Sequence, residues 1–84
     1  MPTIQFTPRA ERDLSALDRN VQQRLRRHID GLGEDPFPAG AKKLHAEEPY
    51  YRIRVGDYRI VYRFAVEEST VIVVKIGHRR EVYR

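Results

Sequence analysis

The sequence predicts an α+β fold in which an N-terminal strand and a two-helix hairpin precede a three-stranded antiparallel sheet (β-α-α-β-β-β). Two observations support this prediction. Apolar residues recur at steps of three and four as far as Leu32, and from Tyr50 onward the apolar period changes to two. With 84 residues and no repeat or linker, the chain fits one domain that spans residues 1–84.

The helical part follows a short strand, TIQF, whose apolar residues alternate. Thr7 is suited to cap the first helix and Pro8 to occupy its first position, where the missing N–H costs nothing. Gly31 and Gly33 are predicted to end the second helix. Between these limits lie two apolar stripes: Ala10, Leu14 and Leu17, then Val21, Leu25, Ile29 and Leu32.

The second half of the chain predicts three strands. A loop with two prolines (EDPFPAG) leads, through at most a short strand or turn around Leu44, to YYRIRV, YRIVYRF and STVIVVKIG. The last of these is nearly all apolar, which is typical of a strand that is central in its sheet or covered on both faces. Gly56-Asp57 fits a two-residue turn with glycine first, and this turn places Arg54 opposite Arg59.

That register divides the hairpin into two faces. One face is apolar and suited to cover the helices: Tyr51, Ile53, Val55, Tyr58, Ile60 and Tyr62. The other face carries Tyr50, Arg52, Arg54, Arg59, Val61 and Arg63. Directly opposed arginines destabilise a bare hairpin, so Arg54 against Arg59 is a local conflict of the kind found at functional sites. The alternative is a solvated face whose arginines stack on tyrosines or pair with nearby glutamates.

The charge of the chain is unevenly distributed. Residues 1–48 contain eight basic and eight acidic residues, whereas residues 49–84 contain eight and four, so the net charge of +4 arises in the second part. Most of the basic residues are arginines, whose fixed fork of donors suits phosphate oxyanions. We therefore expect an anionic partner on the C-terminal sheet.

Other classes of protein are disfavoured. The chain has no cysteine, and its three histidines include no close pair, so we predict neither a metal site nor a cofactor. No long apolar run, signal segment or lipidation motif is present, so we expect a cytoplasmic protein without membrane contact.

The segments YRIRVGDYRIVYRF and IGHRREVYR, with KKLH before the hairpin, resemble the RelE branch of the RelE/ParE toxins of toxin–antitoxin systems. The resemblance covers essentially the whole chain. It implies a ribosome-dependent endoribonuclease that cuts mRNA in the A site and thereby inhibits translation. The partners that it implies are a RelB-like antitoxin, the ribosome and mRNA.

Carried over by motif, the resemblance implies five catalytic residues: Arg52, Arg54, Arg59, Arg79 and Tyr83. Well-studied members of the family have lysines in the places of Arg52 and Arg54. An arginine cannot release its proton near neutrality, so we assign acceptance of the 2′-hydroxyl proton to Tyr83, whose pKa neighbouring cations should lower. Arg52 and Arg59 would clamp the scissile phosphate, while Arg54 and Arg79 would stabilise developing charge or assist the leaving group. This scheme requires no metal.

Further residues are predicted to contact RNA through charge or stacking: Lys42, Lys43, Tyr50, Arg63, His78, Arg80 and Arg84. A second basic run, at Arg24, Arg26 and Arg27, could touch ribosomal RNA, although such a run is more often a solvated helix face.

Two other functions stay open. A ParE-like gyrase inhibitor would share the fold, but binding gyrase does not require the filled arginine and tyrosine positions. A non-catalytic RNA-binding protein, or degenerate toxin, is compatible with the absence of both family lysines.

Overall fold

The computed structural model describes residues 3–44 and 49–78, and its elements confirm the predicted α+β fold. The first three elements are β1 (Thr3–Phe6), α1 (Pro8–Ser15) and α2 (Arg19–Glu34). They are followed by β2 (Lys42–Lys43), β3 (Tyr51–Val55), β4 (Tyr58–Ala65) and β5 (Thr70–His78).

The sheet is larger than the predicted three strands. In the described part of the chain it has five strands, in the order β1-β5-β4-β3-β2, and β1 pairs in parallel with β5 while the other pairs are antiparallel. Strand β5 therefore lies inside the sheet, as its apolar run predicted. The pairing of β1 could not be read from local pattern because its partner strand lies at the far end of the chain.

Hydrogen bonds define the start of α1 and the end of α2. Thr7 caps α1, since its side-chain oxygen accepts a 3.1 Å hydrogen bond from the N–H of Ala10. Helix α2 continues past both glycines to Glu34, and the N–H of Asp35 closes its last turn on the carbonyl of Gly31 at 2.9 Å. The prediction that Gly31 ends this helix is therefore wrong, because Gly31 keeps helical geometry inside the last turn.

The hydrophobic core lies between the helical hairpin and one face of the sheet. Its largest fully buried side chains come from α2 and from the strands β4 and β5: Leu25, Ile29, Leu32, Ile60, Tyr62, Val71 and Val73. Both predicted helical stripes contribute to it, with Ala10 and Leu14 buried on α1. The opposite face of the sheet is not covered by either helix and is the one that carries the arginines.

Helix α1 also covers an edge of the sheet. Strand β1 ends at Phe6, opposite Val73, so no strand of the described residues pairs with the second half of β5 on that side. The N–H of Ile76 instead donates a hydrogen bond of 3.0 Å to the carboxylate of Asp13 on α1.

No helix in the described residues is long and apolar enough to cross a membrane.

Candidate functional site

The hairpin of β3 and β4 has the predicted register. Arg54 lies opposite Arg59, Ile53 opposite Ile60 and Val55 opposite Tyr58. Gly56 has a φ of 60°, which a glycine adopts without steric cost at the first turn position. The turn type and the register that it sets are therefore both confirmed.

We call the side of the sheet that faces away from the helices the arginine face. Its arginines are Arg52 and Arg54 on β3 and Arg59 and Arg63 on β4, since these positions alternate with the core residues of the two strands. None of the strands in the described residues contains Asp or Glu. The guanidiniums of this face thus lie on a surface where the strands themselves supply no compensating carboxylate.

Arg59 is the buried member of the arginine face. It is only 3% exposed, and Val61, two residues along the same face, is 6% exposed. Opposite Arg59 on β5 is Gly77, which has no side chain. The two opposed arginines therefore differ in burial, since Arg59 is packed within the sheet whereas Arg54 opposite it is exposed.

A β-bulge in β5 adds a lysine to the arginine face that the sequence did not predict. The register shifts between Val61 and Tyr62, so that Val61 lies opposite Lys75 while Tyr62 lies opposite Val73. Without the extra residue, alternation from Val73 would place Lys75 on the core side. The bulge instead places Lys75 on the arginine face, and no signal in the near-continuous apolar run indicates where a bulge will occur.

The same bulge moves His78 away from the arginine face. His78 lies opposite Tyr58 on the helix side of the sheet, and the two rings meet edge to face with centroids 5.8 Å apart. The predicted RNA contact of His78 is therefore not brought together with the arginines by this register.

The two lysines predicted to contact RNA lie on opposite faces of the short strand β2. Lys42 lies opposite Arg52 and so joins the arginine face, whereas Lys43 lies opposite Tyr51 and joins the helix side. Both are exposed. Tyr50 precedes β3, is half-buried, and accepts the N–H of Leu44 through its carbonyl oxygen at 3.0 Å. By register, Lys42 therefore shares a face with the arginines and Lys43 does not, while Tyr50 lies just outside the paired residues.

Four of the predicted site residues, Arg79, Arg80, Tyr83 and Arg84, lie outside the described residues. Strand β5 leads directly to them, since it runs antiparallel to β4 and ends at His78 beside Tyr58. Within residues 3–44 and 49–78, no group of three or more His, Cys, Asp or Glu side chains could hold a metal ion.

The sheet carries cations from four of its described strands on one face: Lys42 on β2, Arg52 and Arg54 on β3, Arg59 and Arg63 on β4, and Lys75 on β5. The family model described as the ParE toxin of type II toxin–antitoxin systems matches residues 4–83. This chain belongs to that toxin family. A curated relative, toxin RelG of Mycobacterium tuberculosis, is 30% identical over 83 residues, which cover 98% of this chain and 95% of the relative.

Solved structures agree with this membership. The toxin–antitoxin complex RelBE2 of Mycobacterium tuberculosis includes a chain that is 30% identical, with a TM-score of 0.83 over 94% of this chain and 100% of the other. The isolated RelE toxin of E. coli is 26% identical, with a TM-score of 0.82 over 99% and 92% of the two chains. The protein is thus a RelE-like toxin of a toxin–antitoxin pair.

Proposed function

We propose that this toxin is a ribosome-dependent endoribonuclease that cleaves mRNA in the A site and so inhibits translation. The observation that carries the proposal is the direct opposition of exposed Arg54 and buried Arg59, in a sheet whose strands contain no carboxylate. Like charges opposed across two strands destabilise the free protein, and a phosphate between them would reverse that effect.

The cleavage that we propose uses the RNA's own 2′-hydroxyl. Its oxygen attacks the adjacent phosphorus, and the bond from phosphorus to the 5′-oxygen breaks, which leaves a 2′,3′-cyclic phosphate and a 5′-hydroxyl. Arg52 and Arg59 hold the non-bridging oxygens as negative charge develops on them. Arg54 and Arg79 donate hydrogen bonds toward the departing 5′-oxygen, which takes its proton from water.

A proton acceptor is also needed for the 2′-hydroxyl. A guanidinium is a hydrogen-bond donor without an acceptor site, so the arginine face does not supply this group. We assign this role to Tyr83, as its phenolate, and we assign binding of the flanking phosphates to Lys42, Lys75 and Arg63. A phenolate next to several cations is stabilised by them, which favours its formation near neutrality.

Two further properties follow from the proposed activity. The RelBE2 structure is a toxin–antitoxin complex, and we infer that a RelB-like antitoxin likewise binds and inhibits this chain. A toxin that acts on translating ribosomes works in the cytoplasm, where we place it.

The test compares mRNA cleavage on programmed ribosomes by the wild type, Arg54→Ala and Tyr83→Phe, with mapping of the new mRNA ends. Arg12→Ala removes one exposed arginine from α1, outside the arginine face, and serves as the charge-matched control. We expect wild type and Arg12→Ala to cut within the A-site codon. In Arg54→Ala and Tyr83→Phe the rate of mRNA cleavage should fall by about 100-fold or more. Full activity in both variants would refute the assignment of roles.

The same preparation separates the competing functions. A DNA supercoiling assay with purified gyrase should show no inhibition by the toxin. Inhibited supercoiling with intact translation would identify a gyrase inhibitor instead. Binding of ribosomes without any mRNA cleavage would identify a non-catalytic RNA-binding toxin.

A further inference from the structure

The bulge of β5 lies against the junction between β1 and α1. The register of β4 with β5 passes from Val73 directly to Lys75, so Val74 is the inserted residue of the bulge. On the side away from β4, the backbone of Val74 contacts Thr7, the residue between β1 and α1. The bulge is therefore in contact with a residue from the opposite end of the chain.

Thr7 makes hydrogen bonds to two consecutive residues of β5. Its N–H donates to the carbonyl oxygen of Val73 at 2.9 Å, and its hydroxyl donates to the carbonyl oxygen of Val74 at 3.1 Å. In a regular strand successive carbonyl groups point to opposite edges, so one edge does not offer both. A bulge turns the second carbonyl to the same edge as the first. The hydroxyl of Thr7 thus binds an atom that the bulged conformation presents to it and a regular strand would not.

The position of this hydroxyl is fixed by α1. Its oxygen accepts the N–H of Ala10 at 3.1 Å as the cap of the helix, which leaves its proton for Val74. Further along α1, the carboxylate of Asp13 accepts the N–H of Ile76 at 3.0 Å. Hydrogen bonds from the β1–α1 segment therefore hold the residues on both sides of Lys75.

The bulge decides which side chains of β5 join the arginine face. A change of one residue in register moves every later side chain of a strand to the other face. Lys75 follows the bulge directly, and it lies on the arginine face because of it. The hydrogen bonds of Thr7 and Asp13 thus act on the part of β5 where that choice is made.

We propose that Thr7 is a positioning residue of the RNA site, because its hydroxyl holds the bulge at Val74 that turns Lys75 toward RNA. The same bulge sets the direction in which β5 leads to Arg79 and Tyr83. The inference rests on the proposed function to the extent that RNA binds the arginine face. Thr7 itself does not contact RNA in this proposal and acts through the register of β5.

Substitutions of Thr7 separate the two roles of its hydroxyl. Thr7→Ser keeps both the cap and the bond to Val74. Thr7→Asp keeps an acceptor for the cap, but its carboxylate has no proton to donate to the carbonyl of Val74. Thr7→Val keeps the shape of the side chain, adds no charge and loses both bonds. Ser15→Ala is the matched control, since it removes a hydroxyl that donates to the carbonyl of Glu11 within α1 at 2.8 Å.

The first measurement is the affinity of the full-length toxin for a labelled RNA across a salt series, by fluorescence anisotropy. Thr7→Asp and Thr7→Val should each weaken binding about 3-fold at low salt and reduce the salt dependence by about one released ion. Thr7→Ser and Ser15→Ala should match the wild type. Adding Lys75→Gln to Thr7→Asp should weaken binding no further than Lys75→Gln alone, because both changes remove the same contact.

The second measurement reports the register of β5 without RNA. Nuclear Overhauser contacts across the strands between Val61 and Lys75 arise from the bulged pairing. These contacts should weaken in Thr7→Asp and Thr7→Val and stay unchanged in Thr7→Ser. The rate of mRNA cleavage on saturating ribosomes should fall about 10-fold in the same two variants and stay within about 2-fold of wild type in Thr7→Ser.

These outcomes distinguish the role of Thr7 from the function of the toxin. Wild-type contacts between Val61 and Lys75 in Thr7→Asp, or additive losses of affinity when Lys75→Gln is added, would overturn the proposal. If Thr7→Asp does not fold, Thr7→Val decides both points in the same way. A wild type that binds RNA but cleaves no mRNA would refute the proposed endoribonuclease, while the register and the salt dependence would still support the role of Thr7.

Discussion

The hydroxyl of Tyr62 donates a hydrogen bond of 2.6 Å to the carbonyl oxygen of Pro36. It ties β4 to the loop after α2, and the Tyr62 ring also stacks on that of Tyr51 with centroids 6.0 Å apart. Phe37 of the same loop meets Tyr51 edge to face at 4.9 Å. The loop that follows α2 is therefore held by a buried tyrosine of the central sheet.

The Tyr62 bond predicts a pH-dependent stability. Burial raises the pKa of Tyr62 to about 12, with smaller contributions from Tyr51 and Asp35. Below pH 10 the phenol is protonated in both states, so Tyr62→Phe should lower the free energy of unfolding by about 1 kcal/mol through loss of the bond. Above pH 10 the phenol of Tyr62 ionises in the unfolded wild type but stays protonated in the folded protein. This difference lowers the free energy of unfolding of the wild type and has no counterpart in Tyr62→Phe.

The difference in the free energy of unfolding between wild type and Tyr62→Phe should therefore decrease by about 1 kcal/mol between pH 7 and pH 11. Urea unfolding followed by far-UV circular dichroism at both pH values measures it. Because the comparison is a difference between two variants, the titration of the other tyrosines and of the lysines largely cancels. A gap that stays constant would show that Tyr62 titrates alike in the two states.

The opposition of Arg54 and Arg59 predicts that removing one of them stabilises the protein and weakens RNA binding. Arg54→Thr removes one of two like charges and keeps a good strand former, so it should raise the free energy of unfolding by about 0.3 kcal/mol while weakening RNA binding. Arg63→Thr is the matched control, because Arg63 lies on the same face opposite Ile72 rather than opposite a cation. Urea unfolding and RNA titration at low salt test both variants; an equal gain of stability in Arg63→Thr would contradict the explanation.

Lys42 and Lys43 are neighbours in sequence, but their substitution should affect RNA binding differently. Lys42→Gln and Lys75→Gln each remove a cation from the arginine face and should weaken RNA binding, with a salt dependence that falls by about one released ion. Lys43→Gln removes the same charge from the other side of the sheet and should change neither quantity. Fluorescence anisotropy of a labelled RNA across a salt series measures the slopes. Identical slopes for Lys42→Gln and Lys43→Gln would mean that net charge, and not position, governs binding.

The hydrogen bond between Asp13 of α1 and the edge of β5 predicts that Asp13 stabilises the fold. Asp13→Ala leaves the N–H of Ile76 without its carboxylate acceptor and should lower the free energy of unfolding by about 2 kcal/mol. Asp13→Asn keeps an acceptor oxygen and should lose less than half as much. Urea unfolding gives both values, and hydrogen exchange at the amide of Ile76 should be accelerated only in Asp13→Ala. Equal losses would point to the ion pair of Asp13 with Arg9, at 3.7 Å, instead of the hydrogen bond.

Local pattern was sufficient for much of this fold. The Thr7 cap of α1, the apolar stripes, the Gly56 turn and the register that places Arg54 opposite Arg59 all depend on residues close together in the chain. The candidate site on β3 and β4 could be predicted for the same reason, because strand alternation alone assigns its arginines to one face.

Long-range packing decided the rest. The parallel pairing of β1 with β5, the bulge that moves Lys75 and His78 to opposite sides, and the burial of Arg59 beside Gly77 each depend on strands brought together from distant parts of the chain. The loop of residues 35–41 is likewise tied to β4 by a long-range contact, the hydrogen bond from Tyr62 to Pro36. Alternation predicts which residues share a face within one strand, but an unpaired residue inside a strand reverses that assignment for every position beyond it.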